Sequence, residues 1–581
     1  MPRLLRGLVE RLPLQFRVLY RQFLLRVVDL EALSIEADVT RLLGQMAGVL
    51  ILYGVLTMMG LLLAFGRAQT AGGDLLGLLW KTQHNFLSMT MLVAGLMAVI
   101  SWDQIFPDRR DVMILGALPV RSFTILLAKI AAAGAVLGVA VLSLNLAISV
   151  AVSLVAGGFP GFPRNFAAYW WTTMTAAVFV YGSVLAVQGY MALLLPRRWF
   201  LRASSVTQLA AFAWFLARYF LEPGIGTTAT IAAEASRGLL NRWPSFWFFA
   251  MLEQLMGRLR PAFDGLARLA WMGLGIALCA AGLSLMLCYL RTMRKTVEEP
   301  DLLPGGRGWR WTPRFGNRLA RAIVGFSVRS LARSRQHRVV YAFFLSVAFA
   351  IAVSTLKEIL GSGGRRAPTT DFLMPTLTMM CLAVVGLRSI FSLPVSLHAN
   401  WVLQVTQLRA PEHYITASRR ALLAMAVLPV WVVAALLSLG FTPWPRVVAH
   451  LAVLALVGSI LADLSLIGVS KIPFACSYLP GKSNIQYMFW AFGVVFLPIA
   501  MEFSNYEIRA IQHPGSFAVM MAILSAIAIG IWAFNRRQSK SAVLYYEELP
   551  AVVIMTLGLG SGPLRPAIEG PAASEPEAHS S

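Results

Sequence analysis

Charged residues are scarce in this sequence. Asp, Glu, Lys and Arg make up 13% of its 581 residues, hydrophobic residues make up 58%, and the mean hydropathy is +0.68. A soluble globular protein of ordinary composition carries about twice that share of charge. The composition therefore argues against a soluble globular protein and predicts a membrane protein.

Cysteine and the motifs of common hydrolases are also lacking. The chain has 4 Cys, and three of them stand inside apolar segments, so no disulfide framework or zinc-ligand spacing is indicated. The histidines stand singly, and neither H-E-x-x-H nor G-x-S-x-G occurs. We therefore expect no metal site and no enzymatic activity in this chain.

A complete nucleotide-binding P-loop is missing as well. Gly481-Lys482-Ser483 matches the end of G-x-x-x-x-G-K-[ST], but Cys476 stands where the first glycine is needed. Pro480 removes one of the N–H donors that would hold phosphate. We therefore expect no ATP or other cofactor on this chain.

The positive charge has a topological explanation. Lys and Arg number 50 against 27 Asp and Glu, for a formal charge of +23. In a soluble protein this excess would suggest nucleic acid, whereas in a membrane protein basic residues mark the cytoplasmic loops. We expect a lipid bilayer around the chain and no nucleic-acid partner.

Long apolar runs recur along the whole chain and predict an all-α, polytopic membrane protein with about twelve transmembrane helices. When the N-terminus is placed in the cytoplasm, every loop predicted inside is basic, and both termini are then cytoplasmic. The order of loops divides the spans into two six-helix halves, without a residue-level repeat. The predicted spans are 43–66, 86–102, 124–155, 168–195, 203–221, 267–290, 339–356, 372–391, 419–440, 447–470, 486–503 and 516–534.

Five regions follow from this pattern. Residues 1–42 are an N-terminal cytoplasmic segment in which 10–35 predict an amphipathic, interfacial helix. This helix either lies on the inner leaflet or packs on the membrane domain. The halves are 43–290 and 339–534, the basic cytoplasmic linker between them is 291–338, and the tail is 535–581, disordered at its end.

One acidic residue lies well inside an apolar segment. Asp463 and the similarly deep Arg388 suggest an intramembrane ion pair, since an ionisable group in lipid usually pairs or lines a polar path. Two alternatives stay open: a proton-relay role, and an Asp463 side chain that reaches interfacial water.

The first predicted inside loop, Ser101 to Lys129, has the most distinctive pattern. Its first part is rich in acids and arginines, and a short apolar stretch then leads to Leu118-Pro119 and the next helix. A short helix in this stretch would act as a lever, and the alternative is a simple connector. The candidate residues are Asp103, Asp108, Arg109, Arg110, Asp111, Leu118, Pro119, Arg121 and Lys129.

This pattern resembles the loop of ABC-2 type transporter permeases. The shared features are an acid after the second helix (Asp103 or Asp111), Leu118-Pro119-Val120-Arg121, and Lys129 in the third helix. The resemblance implies a coupling helix that docks on a separate ATPase subunit, with ATP bound there. It also implies export across the cytoplasmic (inner) membrane of a bacterium.

The second half departs from this pattern. Its loop from Leu393 to Arg420 lacks the order of acid followed by Leu-Pro. The sequence therefore leaves open whether both halves dock ATPases, and whether the chain is a fused pseudo-dimer or forms a homodimer.

Two other functions remain as alternatives. A secondary transporter of the major facilitator type also has two six-helix halves and a basic central linker, but the glycines that this family places around its Asp-Arg turn are missing here. A polytopic membrane enzyme or assembly scaffold is the third class. Nothing in the sequence names a substrate.

Overall fold

The computed structural model describes a helical protein, and no strand occurs among the residues that it describes. The fold class predicted from the sequence, all-α, is confirmed for this part of the chain. The described residues are 13–28, 39–71, 74–102, 105–106, 115, 118–223, 238–298, 318–361, 370–391, 393, 411–438, 444–468, 472–474 and 497–541.

Seven helices belong to the first half. Two short 3-10 turns, Leu239–Arg242 and Pro261–Phe263, stand on either side of the sixth. The helices are α1 (Leu14–Val28), α2 (Val39–Ala71), α3 (Leu75–Ile100), α4 (Ser122–Leu194), α5 (Arg197–Leu221), α6 (Pro244–Leu255) and α7 (Asp264–Glu298).

Eight helices follow in the second half, beginning inside the predicted linker. They are α8 (Arg318–Arg333), α9 (Arg335–Gly361), α10 (Thr370–Phe391), α11 (Pro411–Leu422), α12 (Leu428–Leu437), α13 (Trp444–Leu464), α14 (Leu497–Gln512) and α15 (Pro514–Ser541).

A π-helical turn, Leu423–Val427, joins α11 to α12. Pro429 has no N–H, so it cannot bond to the carbonyl of Met425 four residues earlier. The Tyr341 hydroxyl donates to this carbonyl at 2.9 Å. A side chain of α9 thus satisfies the backbone group that the proline leaves unpaired.

Eight helices of the described structure are long and apolar enough to cross a membrane, which is compatible with an integral membrane protein. Shorter apolar stretches occur in α5 (Val206–Leu221) and α9 (Val340–Ser354). Most of the predicted span 486–503 lies outside the described residues. The eight candidate spans are Ala47–Thr70, Leu75–Ile100, Ser122–Leu194, Pro261–Cys288, Phe372–Phe391, Glu412–Leu437, Trp444–Leu464 and Pro514–Lys540.

Helix α4 is a hairpin. Gly158 has φ 59° and ψ −167°, which is not helical and which glycine alone adopts readily. The Asn165 side chain donates to the Ser153 carbonyl at 3.4 Å, although a continuous helix would separate these residues by about 18 Å. The arms 122–157 and 159–194 therefore run antiparallel, as the two separate spans predicted from the sequence require.

The halves meet along α5 and α9. Leu92, Leu216 and Ala350 form a small buried core there, and the rings of Phe212 and Phe343 lie 6.2 Å apart. Lys357, on α9, donates to the backbone carbonyls of Leu221 and Glu222 at the end of α5. Apolar packing and a basic side chain thus join the two halves.

Two packing arrangements occur in both halves. Amphipathic α1 packs on the start of α4, and amphipathic α8 packs on α11, which begins the corresponding span. Short α6 packs on α3 and α7, and short α14 packs on α10 and α15. The structure therefore shows a tandem similarity in helix order and packing that has no visible counterpart in the residue sequence.

Candidate functional site

Lys129 connects three elements near the start of α4. Its side chain is buried, and Nζ donates to the Phe106 carbonyl at 3.1 Å. The same Nζ lies 5.1 Å from the centre of the Phe23 ring on α1, which is within the range of a cation–π contact. One lysine thus joins α4, the loop at Phe106 and the amphipathic helix α1.

The buried face of α1 completes this junction. Leu19 and Phe23 pack on Ile125, Ala128 and Ala132 of α4. The α1 segment thus packs on the membrane domain, one of the two placements that its sequence allows. Burial also raises the pKa of the Tyr20 hydroxyl on α1.

Two residues of the loop belong to the same apolar cluster. Leu115 and Val120 pack at its edge, beside the α1 side chains. A displacement of the loop would therefore be transmitted both to α1 and to the first turns of α4. We refer to α1, Leu115, residues 118–120 and the first turns of α4 as the elbow.

The beginning of the loop is fixed by Trp102. This buried indole donates through Nε1 to Ser204 Oγ of α5 at 2.8 Å. The Trp102 carbonyl accepts from the Gln188 side chain on the second arm of α4. Immediately before it, Ser101 shares a 2.8 Å hydrogen bond with Tyr181. Helix α5 and the second arm of α4 therefore hold the end of α3 in place.

Part of the elbow forms an exposed patch. Leu118 is 50% exposed and Phe123 is 67% exposed, and both Pro119 and Arg121 are exposed. The loop therefore leaves a fixed base and presents an apolar and basic surface before it enters α4. We refer to Leu118, Pro119, Arg121 and Phe123 as the loop patch.

The sequence-predicted loop residues divide into two groups. Leu118, Pro119, Arg121 and Lys129 are described, with the first three exposed and Lys129 buried. The acidic and arginine-rich part lies outside the described residues, as does the Gly481-Lys482-Ser483 triplet: the loop residues concerned are Asp103, Asp108, Arg109, Arg110 and Asp111.

The sequence does not predict the partners of Lys129 and Trp102. Phe23, Gln188 and Ser204 lie far from the loop in sequence, on α1, α4 and α5. An amide inside the apolar run of α4 was the available signal, because a polar side chain in such a run needs a partner.

The second half contains its own buried polar junction at α9. His337 shares a 2.5 Å hydrogen bond with Ser334 through Nδ1 and a 2.9 Å contact with the Leu393 carbonyl through Nε2. Burial lowers the pKa of His337, and the contact with the Leu393 carbonyl opposes this effect. Phe474, which adopts a positive φ of 62°, packs its ring on this imidazole at 5.2 Å.

The intramembrane acid has a different arginine from the predicted one. Arg419 Nε lies 2.5 Å from Asp463 Oδ1, and its NH2 group lies 2.9 Å from Oδ2. Arg388 instead donates to the Ser465 carbonyl at 2.8 Å, just beyond α13. Because α11 begins at Pro411, Arg419 lies within the helix and not at the edge of a span, as the predicted span 419–440 would place it.

Within the described part of the chain, no group of three or more His, Cys, Asp or Glu residues could hold a metal ion. No family model, curated protein or solved structure matches the chain. The elbow and the repeated packing are therefore the features that point to a function.

Proposed function

We propose that this chain is the membrane permease subunit of an ABC-type transporter that exports its substrate. In this proposal a separate ATPase subunit binds ATP and docks on the loop between α3 and α4. The chain itself has no catalytic role. Its place is the cytoplasmic membrane of a bacterium, with both termini in the cytoplasm.

The observation that carries the proposal is the mechanical connection at the elbow. A docked partner pushing on the loop patch would act on Leu115 and Val120, and through them on α1 and α4. Trp102 and its partners keep the preceding helix end fixed. Force applied at the patch would therefore be directed into α4.

The repeated packing supports a fused pair of six-helix units. α1 on α4 and α8 on α11 place an amphipathic helix against the corresponding span of each half. The arms of α4 supply two crossings, and α5 and α9 contain shorter apolar stretches. These features, together with the predicted span at 486–503, support about twelve crossings.

Co-purification with an ATPase encoded beside this chain tests the proposal. In mild detergent we expect the wild-type chain to retain the ATPase and Leu118→Asp to lose it, because a charge would stand in the centre of the loop patch. Phe159→Asp is the matched control, since Phe159 is 88% exposed at the turn of the α4 hairpin. Equal retention by the two variants, or transport by a preparation that never contains an ATPase, would contradict the proposal.

A secondary transporter of the major facilitator type is the second candidate. His450 Nδ1 lies 2.8 Å from Glu507 Oε1, and both side chains are fully buried. Buried ionisable pairs of this kind occur in proton relays. Proton-driven transport in vesicles without ATP, abolished by Glu507→Gln, would favour this candidate.

A further inference from the structure

The short helix α6 carries a buried acid that the proposed function does not use. Glu253 is 1% exposed and faces α3, where Trp80 and Gln83 are equally buried. Helix α6 is not among the candidate membrane spans. A buried carboxyl group has a high energetic cost unless it is paired, hydrogen-bonded or neutral.

Several polar atoms at this position lack ordinary partners. Within the described residues, Glu253 Oε1, Gln83 Oε1 and Trp80 Nε1 are buried without a hydrogen bond of normal geometry. Trp80 and Gln83 nevertheless lie close enough to stabilise the carboxylate weakly. Two of the three unsatisfied atoms are acceptors and one is a donor, so the site is one donor short. A protonated carboxyl group supplies one, whereas an ionised carboxylate only accepts.

The surroundings favour the neutral acid. The Trp80 ring meets Phe249 edge-on at 5.7 Å and Phe263 at 5.5 Å. Burial outweighs the opposite effect of Arg258 and the smaller ones of Trp80, Gln83 and Arg260, and the pKa of Glu253 is raised to about 7. The side chains around the carboxyl group are nearly inaccessible to solvent. The space at the carboxyl group therefore suits a proton better than a larger ligand.

Other charged groups stand on the elements packed around α6. Arg258 and Arg260 follow α6, and Arg260 also stacks on Trp80 at 4.8 Å. Arg164 of α4 donates to the Leu255 carbonyl at 3.0 Å. The remaining groups are Lys81 and His84 on α3, Glu222 at the end of α5, and Asp264 and Arg268 on α7.

We propose that Glu253 is a proton-binding site that holds residues 238–263 against α3. With the proton bound, the carboxyl O–H donates to a buried acceptor and the aromatic packing stays closed. When the O–H bond breaks, the proton passes to water and the carboxylate retains the electron pair. The ionised group then requires hydration, so α6 separates from α3. This inference does not depend on the proposed function.

Hydrogen exchange on the full chain in nanodiscs tests the proposal. Glu253→Gln imitates the neutral acid, and Asp264→Asn removes an exposed acid from the same region. At about pH 9, amides in 238–263 should exchange at least tenfold faster in wild type than in Glu253→Gln at the same pH. At about pH 5, the two rates should agree within about threefold. Asp264→Asn should follow the wild type at both pH values.

Equal wild-type and Glu253→Gln rates at both pH values would overturn the proposal, since a buried water that satisfies the same acceptors would not respond to pH. Infrared spectroscopy of the wild type is the second measurement and covers the case of a Glu253→Gln chain that fails to fold. It should show the band of a buried carboxylic acid that disappears with a midpoint near the pKa of about 7. Absence of a titrating band would equally overturn the proposal.

Discussion

The hydroxyl of Tyr169 donates a 2.7 Å hydrogen bond to Asn145 Oδ1 across the two arms of α4. Asn145 Nδ2 in turn donates to Thr90 Oγ1 of α3 at 3.0 Å. All three side chains are fully buried. In an apolar environment such interhelical hydrogen bonds fix which helix faces meet, because apolar contacts alone do little to distinguish them.

Removing the Tyr169 hydroxyl should therefore destabilise the first half. We expect Tyr169→Phe to lower the free energy of unfolding by about 1–2 kcal/mol, because Asn145 keeps a buried oxygen without a donor. Thermal unfolding in detergent measures the loss. Tyr190→Phe, on the same arm and only half-buried, is the control. Equal losses in the two variants would show that the hydrogen bond has no specific effect.

Gly158 should tolerate no side chain. We expect Gly158→Ala to cost about 1–3 kcal/mol, because its positive φ and extended ψ are unfavourable for any residue with a Cβ. Gly134→Ala on the first arm is the matched control, since an added Cβ there meets no atom within 4 Å. The folded yield of each variant is the measurement, and the Gly134→Ala control should keep or raise it. A normal yield of Gly158→Ala would mean that the hairpin turn relaxes without cost.

The apolar runs predict most of the helices well because lipid allows few other backbone arrangements. The sequence predicts the two arms of the hairpin as separate spans, 124–155 and 168–195, because glycine and proline interrupt the apolar pattern between them. The contacts of Lys129 and Trp102 could not be predicted, because helical periodicity states which face is apolar but not which helix covers it. The same limit applies to Asp463. The sequence shows that Asp463 lies deep in an apolar segment, but its partner depends on where α11 begins.

The pair formed by Arg419 and Asp463 should show measurable coupling. We expect Arg419→Gln and Asp463→Asn to be non-additive by about 1–3 kcal/mol, because each substitution alone leaves a charge without its partner. Arg388→Gln combined with Asp463→Asn should give a smaller coupling, since the Arg388 Nε bonds the backbone at Ser465. The free energies of unfolding of the single and double variants measure both couplings. A larger coupling through Arg388 would restore the pair expected from the sequence.

Glu222 should make the fold sensitive to acid. Burial alone would raise its pKa, but His84 at 3.3 Å and hydrogen bonds from Ser245 and Ser88 hold the pKa below its ordinary value. A carboxyl group with a depressed pKa contributes stability above its ordinary pKa of about 4.3, and this stability is lost as the pH falls through the folded-state value.

Glu222→Gln tests this relationship. The variant should be less stable than the wild type near neutral pH, and the difference in melting temperature should shrink as the pH falls below about 4. Glu412→Gln, which removes a half-exposed acid on α11, should leave the wild-type profile unchanged. A constant difference between wild type and Glu222→Gln at all pH values would contradict the assignment.

The packing of α1 on α4 also bears on how the chain is made. Phe23 emerges from the ribosome about a hundred residues before Ala128 and Ala132, on which it packs. During that interval the residues of α4 on which α1 packs are not yet synthesised. The membrane surface can then cover the apolar face of α1. The completed elbow can then form only after the first turns of α4 have been synthesised, so α1 finds its protein partner later than the membrane surface.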